Sequence, residues 1–158
     1  MFQFKNGRFY ANVKPQRLSF VMPQGCWLDT MPLVMSQELL PLYSPDMKVN
    51  IDLWAEREDE ADTKERLTDL VKHNSDCVLV EPRAITVNGI AGYETFYAAG
   101  KKQYYDVYLN VSSYGLVDSK GESINRVRML LYTEDGGDIY EIVASDSVQA
   151  ALHGIKLE

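Results

Sequence analysis

Tight-turn signals divide the second half of this chain into short runs rich in β-branched and aromatic residues. The three signals are Asn88-Gly89, Ala99-Gly100-Lys101 and Asp135-Gly136-Gly137. Such turns between strand-like runs are typical of β-hairpins, because glycine and asparagine tolerate the positive φ angles that tight turns require. The pattern predicts a three-stranded meander followed by a last hairpin. The predicted strands are 83–87, 90–98 and 103–112 for the meander, and 126–132 and 138–144 for the hairpin.

The first half of the chain is predicted to add further strands. From Met47 to Ala55, apolar residues alternate with polar ones, which indicates a strand with one buried face. Proline cannot donate a hydrogen bond to a neighbouring strand, so we expect the proline-containing stretch 31–45 to be irregular or an edge strand. Shorter strand-like runs occupy 7–13, 17–21 and 26–28.

One helix is predicted in the middle of the chain, over residues 63–74. Its apolar stripe consists of Leu67, Leu70 and Val71. Asp62 and Glu65 fit a capping pair at its start. The acidic run 56–62 before the helix is interpreted as a solvated loop, because negative charge is favourable at a helix N-terminus. The alternative interpretation of this run is a cation site or a docking patch.

A second, short helix is predicted near the C-terminus. Ser147 is a candidate N-cap for it. Its apolar positions have helical spacing, at Val148, Ala151, Leu152 and Ile155. The stretch 115–123, which contains two glycines and two serines, is expected to be a loop.

These elements predict one α+β domain over residues 1–158, with an antiparallel sheet of six or seven strands and both helices packed on it. A chain of 158 residues with 46% hydrophobic residues buries enough surface for a core without disulfides or metals. Trp27, which follows a Pro-x-Gly turn, is predicted to be a core anchor. The other predicted core residues are Phe20, Val49, Ile51, Leu53, Leu67, Leu70, Val71, Phe96, Val107, Leu109, Leu130, Ile142 and Leu152.

The charge balance excludes some classes of partner. The net charge is −7 and the isoelectric point is near 4.9, whereas phosphate binding requires clustered lysine and arginine. We therefore expect neither nucleic-acid binding nor attraction to anionic membranes. The first twenty residues contain no apolar run typical of a signal peptide, and no later stretch is long enough for a membrane span. A cytoplasmic location is expected if Met1 is the native start.

Catalytic and cofactor-binding signatures are weak. His73 and His153 each lie near a predicted helix C-terminus and outside any metal-binding spacing. Cys26 and Cys77 do not form a CxxC motif, and we expect two inert thiols, with a single bridge as the alternative. The glycines lie between strands and not before a helix, so no phosphate-binding loop and no cofactor are expected.

The tyrosines are the one cluster that suggests a site. Alternation places Tyr104 and Tyr108 on one face of their strand, and Tyr93 and Tyr97 on one face of the preceding strand. If the two strands pair through the turn at Gly100, the four tyrosines share one polar-edged surface suited to recognition. The alternative interpretation is that cross-strand tyrosine pairs only stabilise the sheet.

The order of elements resembles the Mog/PsbP-like α/β/α sandwich group, which includes DcrB-like bacterial domains. The resemblance lies in RLSFVMPQGCW at 17–27, the helix 63–74, the hairpin VNGIAGYE at 87–94 and the closing helix 147–157. The stretch 31–45 departs from that pattern. The group contains mostly accessory, scaffold and binding proteins without shared catalytic residues, so the resemblance implies a non-catalytic role.

The function expected from the sequence is therefore a non-catalytic accessory or protein-binding domain. One alternative is an enzyme whose site is assembled from scattered residues, with Cys77 or His73 as candidates. Others are a small-ligand carrier with an enclosed apolar cavity, or a homo-oligomer that associates through a strand edge or the tyrosine surface.

Overall fold

The computed structural model describes residues 2–29, 39–134 and 136–158. The helices in these ranges are α1 (Glu60–His73), α2 (Ile139–Ala144) and α3 (Asp146–His153), with short 3-10 helices at Ser75–Cys77 and Ser112–Tyr114. The strands are β1 (Gln3–Lys5), β2 (Arg8–Tyr10), β3 (Val13–Lys14), β4 (Leu18–Val21), β5 (Trp27–Leu28), β6 (Leu39–Ser44), β7 (Val49–Glu56), β8 (Val78–Val87), β9 (Ile90–Ala99), β10 (Lys102–Asn110), β11 (Leu116–Asp118), β12 (Ser123–Ile124), β13 (Arg126–Thr133) and β14 (Lys156–Leu157).

A seven-stranded antiparallel sheet organises the fold, with strand order β5-β6-β7-β13-β10-β9-β8. The predicted α+β class is confirmed. The meander is confirmed as well, because β8 pairs with β9 through the Asn88-Gly89 turn and β9 pairs with β10 through Gly100. Strand β13, which comes late in the chain, lies between β7 and β10 at the centre of the sheet.

Two smaller sheets complete the strand structure, with orders β1-β2-β4-β14 and β12-β11-β3. The turn between β8 and β9 ties the large sheet to the end of α3. There the Asn88 side-chain amide donates to the carbonyl oxygens of His153 and Ile155, both at 2.7 Å. His153 is the last residue of α3, so its carbonyl has no acceptor role within the helix and the Asn88 contact serves as a C-terminal cap.

One face of the seven-stranded sheet forms the core. Along β7, side chains alternate strictly between buried and half-buried, as the sequence predicts for this strand. The core face packs against β2, β4, α2 and α3, which contribute Phe9, Phe20, Ile139 and Leu152 among others. The sheet contributes Val49, Ile51, Leu53, Phe96, Val107, Leu109, Met129 and Leu131.

Helix α1 lies on the opposite, polar face of the sheet. It begins at Glu60, three residues earlier than predicted, because Asp59 is the N-cap. The Asp59 carboxylate accepts from the Asp62 amide and the Asp62 carboxylate accepts from the Asp59 amide, both at 3.0 Å. The predicted pair of Asp62 and Glu65 is therefore wrong by one turn. Leu67 is buried, whereas the predicted partners Leu70 and Val71 are only half-buried.

The predicted last hairpin is wrong, because residues 139–144 of its second strand form α2 and Asp138 is the N-cap of that helix. The Asp138 side chain caps this helix by accepting from the amides of Tyr140 and Glu141. Its buried side chains, Ile139 and Val143, lie one helical turn apart. Over so few residues, their spacing also fits a strand.

The predicted start of the C-terminal helix is also corrected. The N-cap of α3 is Ser145, whose side chain accepts from the Val148 amide. Ser147, the predicted cap, donates to the Gln24 carbonyl instead.

Other predictions are corrected along the chain. Trp27 is 59% exposed and not a core anchor, and Leu130 and Ile142 are half-buried. The expected loop 115–123 contains β11 and part of β12, and the expected strand 7–13 is divided between β2 and the start of β3. Of the stretch 31–45, residues 31–38 lie outside the described residues, and 39–44 form β6, which pairs with β7 and with the two-residue edge strand β5.

Candidate binding surface

A row of aromatic side chains crosses the polar face of the seven-stranded sheet. Its members are cross-strand neighbours on six successive strands, from β5 to β9: Trp27, Tyr43, Asn50, Tyr132, Tyr104 and Tyr97. We call this set the aromatic row. Strands lie about 4.8 Å apart, so five steps give the row a length of roughly 24 Å. Trp27 is exposed and the other members are half-buried.

The rings at the centre of the sheet stack on one another. The ring centroids of Tyr97 and Tyr104 are 5.0 Å apart with 8° between planes, and those of Tyr104 and Tyr132 are 5.9 Å apart with 28° between planes. The Lys102 ammonium lies 5.6 Å from the Tyr132 ring centroid. Stacking of this kind holds the rings in a common orientation beyond what their burial contributes.

Three hydroxyl groups of the row are associated with carboxylates. Tyr43 donates to Glu134 Oε1 at 2.5 Å, and Tyr97 donates to Asp106 Oδ2 at 3.2 Å. Tyr132 is a hydrogen-bond partner of Asp52. These three hydroxyl groups therefore already have partners within the chain.

A buried ion pair lies beside the row, between the sheet and α1. Asp106 accepts two hydrogen bonds from Arg128, from Nε and Nη2, both at 2.9 Å, and a third from the Tyr108 hydroxyl at 2.7 Å. The Arg128 guanidinium also lies over the rings of Trp54 and Tyr108, at 5.2 and 5.1 Å. Burial alone lowers the pKa of Arg128, but its contacts with Asp106 outweigh burial and raise it. These groups satisfy one another, so we interpret the cluster as structural support for the surface.

The carboxyl group of Asp52, on the same face, has a raised pKa. Burial raises its pKa to about 6, and the negative charge of Asp29 adds to the shift. The positive charge of Arg128 and the hydrogen bond with Tyr132 act in the opposite direction. Burial and the nearby Asp52 carboxylate in turn raise the pKa of Tyr132 to about 12.

The structure brings the four predicted tyrosines onto one face. Tyr104 is opposite Tyr97 and Tyr108 is opposite Tyr93, as the predicted pairing requires. Only Tyr97 and Tyr104 belong to the aromatic row. Tyr108 is 2% exposed beneath α1, and Tyr93 lines a groove between α1 and β8. Tyr108 is therefore not available for direct contact with a partner.

Three aromatic members of the row were not among the predicted site residues, namely Trp27, Tyr43 and Tyr132, and neither was Asn50. Successive residues of a strand lie on opposite faces, so the apolar Leu131 on the core face places Tyr132 on the polar face. The alternation in the sequence could therefore have predicted the position of Tyr132. Trp27 and Tyr43 join the row through the pairing of β5 with β6, and nothing local in the sequence specifies that pairing.

The candidate catalytic residues do not come together with the row. His73 and His153 are the last residues of α1 and α3, and both are exposed. Cys26 and Cys77 are free thiols, and burial raises the pKa of Cys26. Across the described ranges, no group of three or more histidine, cysteine, aspartate or glutamate side chains is placed to hold a metal ion.

Comparison of the chain with family models, with curated proteins and with solved structures gives no match. Within the part of the chain that the structure describes, no helix is both long and apolar enough to cross a bilayer.

Proposed function

We propose that this chain is a non-catalytic accessory domain that binds a protein partner through the aromatic row. The observation that carries the proposal is the alignment of five aromatic side chains over six strands, all at least partly exposed. Tyrosine and tryptophan are enriched in protein interfaces, where rigid rings provide contact area at a small cost in conformational entropy.

Sheet stabilisation alone does not account for the whole row. The stacked rings of Tyr97, Tyr104 and Tyr132 contribute to the sheet as cross-strand pairs. Trp27, however, is 59% exposed on a two-residue edge strand, where it contributes little packing. An exposed tryptophan that continues a row of tyrosines favours a binding role for the surface.

The shape of the surface favours a protein over a small molecule. Small-molecule sites are concave and surround most of their ligand. A row of roughly 24 Å across six strands instead offers an extended contact, as a protein segment would require. The resemblance of the chain to a group of accessory and binding proteins supports the same proposal.

The proposal is tested by affinity capture from the cells that produce this chain. We compare the wild type with the double variant Trp27→Ala/Tyr104→Ala. Both residues lie outside the buried Asp106 cluster, so the variant is expected to fold, which circular dichroism verifies. The matched control is Phe4→Ala, which removes a ring that is 61% exposed on strand β1 of another sheet.

A protein captured by the wild type and by Phe4→Ala, and lost with the double variant, would support the proposal. Equal capture by all three would show that the aromatic row does not bind the captured protein. Light scattering on the purified chain checks for self-association. An oligomer that the double variant dissociates would replace the partner by a second copy of this chain.

A further inference from the structure

Negative charge accompanies the outer half of the aromatic row. Trp27, Asp29, Tyr43 and Asn50 line one pocket at the β5 end of the sheet. Asp52 lies on the same face, two residues beyond Asn50 on β7. The Asp29 amide donates to the carbonyl of Pro41, the residue paired with Asp52, and this brings both carboxylates to one side of the row.

The two aspartates are close enough to interact. After burial, the negative charge of Asp29 is the second cause of the raised pKa of Asp52, as expected for two carboxylates on one face of the sheet. Glu134 adds a third carboxylate, held by the Tyr43 hydroxyl. A cation placed between the rings would relieve this repulsion.

The rings themselves favour a cation. The faces of tyrosine and tryptophan rings carry negative electrostatic potential and attract ammonium and guanidinium groups. A phenol whose hydroxyl donates a hydrogen bond to a carboxylate, as that of Tyr43 does, is polarised so that its ring carries more electron density. One cation of this chain already uses the row, because the Lys102 ammonium lies over the Tyr132 ring.

We infer that the partner segment bound by the aromatic row is rich in lysine or arginine. The inference rests on the proposed function and adds the chemistry of the partner. Basic side chains contact the rings of Trp27 and Tyr43 and the side of the Tyr132 ring that is not stacked on Tyr104, and their charges face Asp29 and Asp52. A second copy of this chain would instead bring a further net charge of −7 to an acidic surface.

The spacing of the rings suggests the form of the segment. Tyr43 and Tyr132 are two strand steps apart, with Asn50 between them, a distance of roughly 10 Å. In a polyproline II segment, residues three positions apart lie on the same side and about 9 Å apart. Basic residues at every third position therefore fit the two ring sites.

The test uses synthetic peptides and the purified full chain. A fluorescent peptide of Lys-Gly-Pro repeats is titrated with the chain and followed by anisotropy, beside a Glu-Gly-Pro peptide. The lysine peptide is expected to bind and the glutamate peptide not to bind. Asp29→Asn/Asp52→Asn is expected to weaken binding about tenfold, as the loss of two charge contacts implies. Lys102→Ala is expected to strengthen binding, because it removes a competing cation.

The matched control removes the same amount of charge from the opposite side of the sheet. Glu141→Gln/Asp146→Asn alters two exposed residues on α2 and α3, and should leave the affinity for the lysine peptide within about twofold of the wild type. Equal weakening by both double variants would show a general charge effect and overturn the inference. Thermal melting verifies that each variant is folded.

Failure of the inference differs from failure of the proposed function. If the lysine peptide does not bind the wild type while capture from cells still depends on Trp27 and Tyr104, the row binds a partner of another chemistry. If capture does not depend on the row either, the proposed function is wrong as well.

Discussion

Replacing Asp52 by asparagine is expected to stabilise the folded chain at neutral pH and to have no such effect at low pH. The folded-state pKa of Asp52 is about 6, against 3.8 for an unperturbed aspartate, chiefly because of burial. Between these two values the folded state holds a proton that the unfolded state releases. The free energy of unfolding therefore falls as the pH rises from about 4 to about 6, and the full cost is present above that window.

The size of the effect follows from the shift. A difference of about 2 pKa units corresponds to about 3 kcal/mol, which is an upper limit. Asp52 is only partly buried, so solvent and salt screen the charge, and we expect about 1–2 kcal/mol. For a domain of this size, each kcal/mol shifts the melting temperature by about 2–4 °C.

The assay is thermal and urea unfolding of wild type and Asp52→Asn at pH 4 and pH 8. Asparagine keeps the shape of the side chain, and at both pH values it lacks the charge. Asp46→Asn serves as the control, because Asp46 lies in an exposed turn. A stabilisation of the same size at both pH values, or a loss of stability at pH 8, would refute the reasoning.

Three further outcomes are expected. Asp106→Ala leaves the buried Arg128 without its partner and should lower the free energy of unfolding in urea by about 3–5 kcal/mol. A loss below about 1 kcal/mol would contradict the structural role of the cluster. Gly92→Ala places a methyl group against the Tyr108 carbonyl, so the protection of backbone amides from hydrogen exchange should fall along β9 and β10. Unchanged protection would show that β9 and β10 do not approach each other this closely at Gly92. Trp27→Ala should lower the free energy of unfolding by less than about 1 kcal/mol, because the ring is exposed, whereas Phe20→Ala should lower it by about 3–5 kcal/mol. Urea unfolding measures both, and similar losses for the two variants would show that Trp27 is buried in the core.

Local pattern predicts the parts of this fold that depend on neighbouring residues. The Asn88-Gly89 turn joins β8 and β9 because both central residues have positive φ angles, which these residue types tolerate. Alternation assigns both faces of β7 and β10 correctly. The same logic places Tyr97 beside Tyr104, since a two-stranded register follows from the turn between them.

The errors occur where a short pattern is ambiguous or where distant strands pair. Ile139 and Val143 fit a strand or a helix over so few residues, and the capping contacts of Asp138 decide for the helix. The apolar character of Trp27 predicts burial, but edge strand β5 leaves the ring exposed. The aromatic row depends on the order of six strands, and most of that order is set by contacts between residues far apart in the chain.

The central position of β13 makes the continuity of the aromatic row depend on a single strand. Strands β5, β6 and β7 carry one half of the row, and β10 and β9 carry the other half. All five strands precede β13 in the sequence. Tyr132 on β13 lies between Asn50 and Tyr104 and joins the halves. A chain in which β13 does not pair would therefore present two separate patches and not a continuous row. The continuity of the surface thus depends on the pairing of both edges of β13.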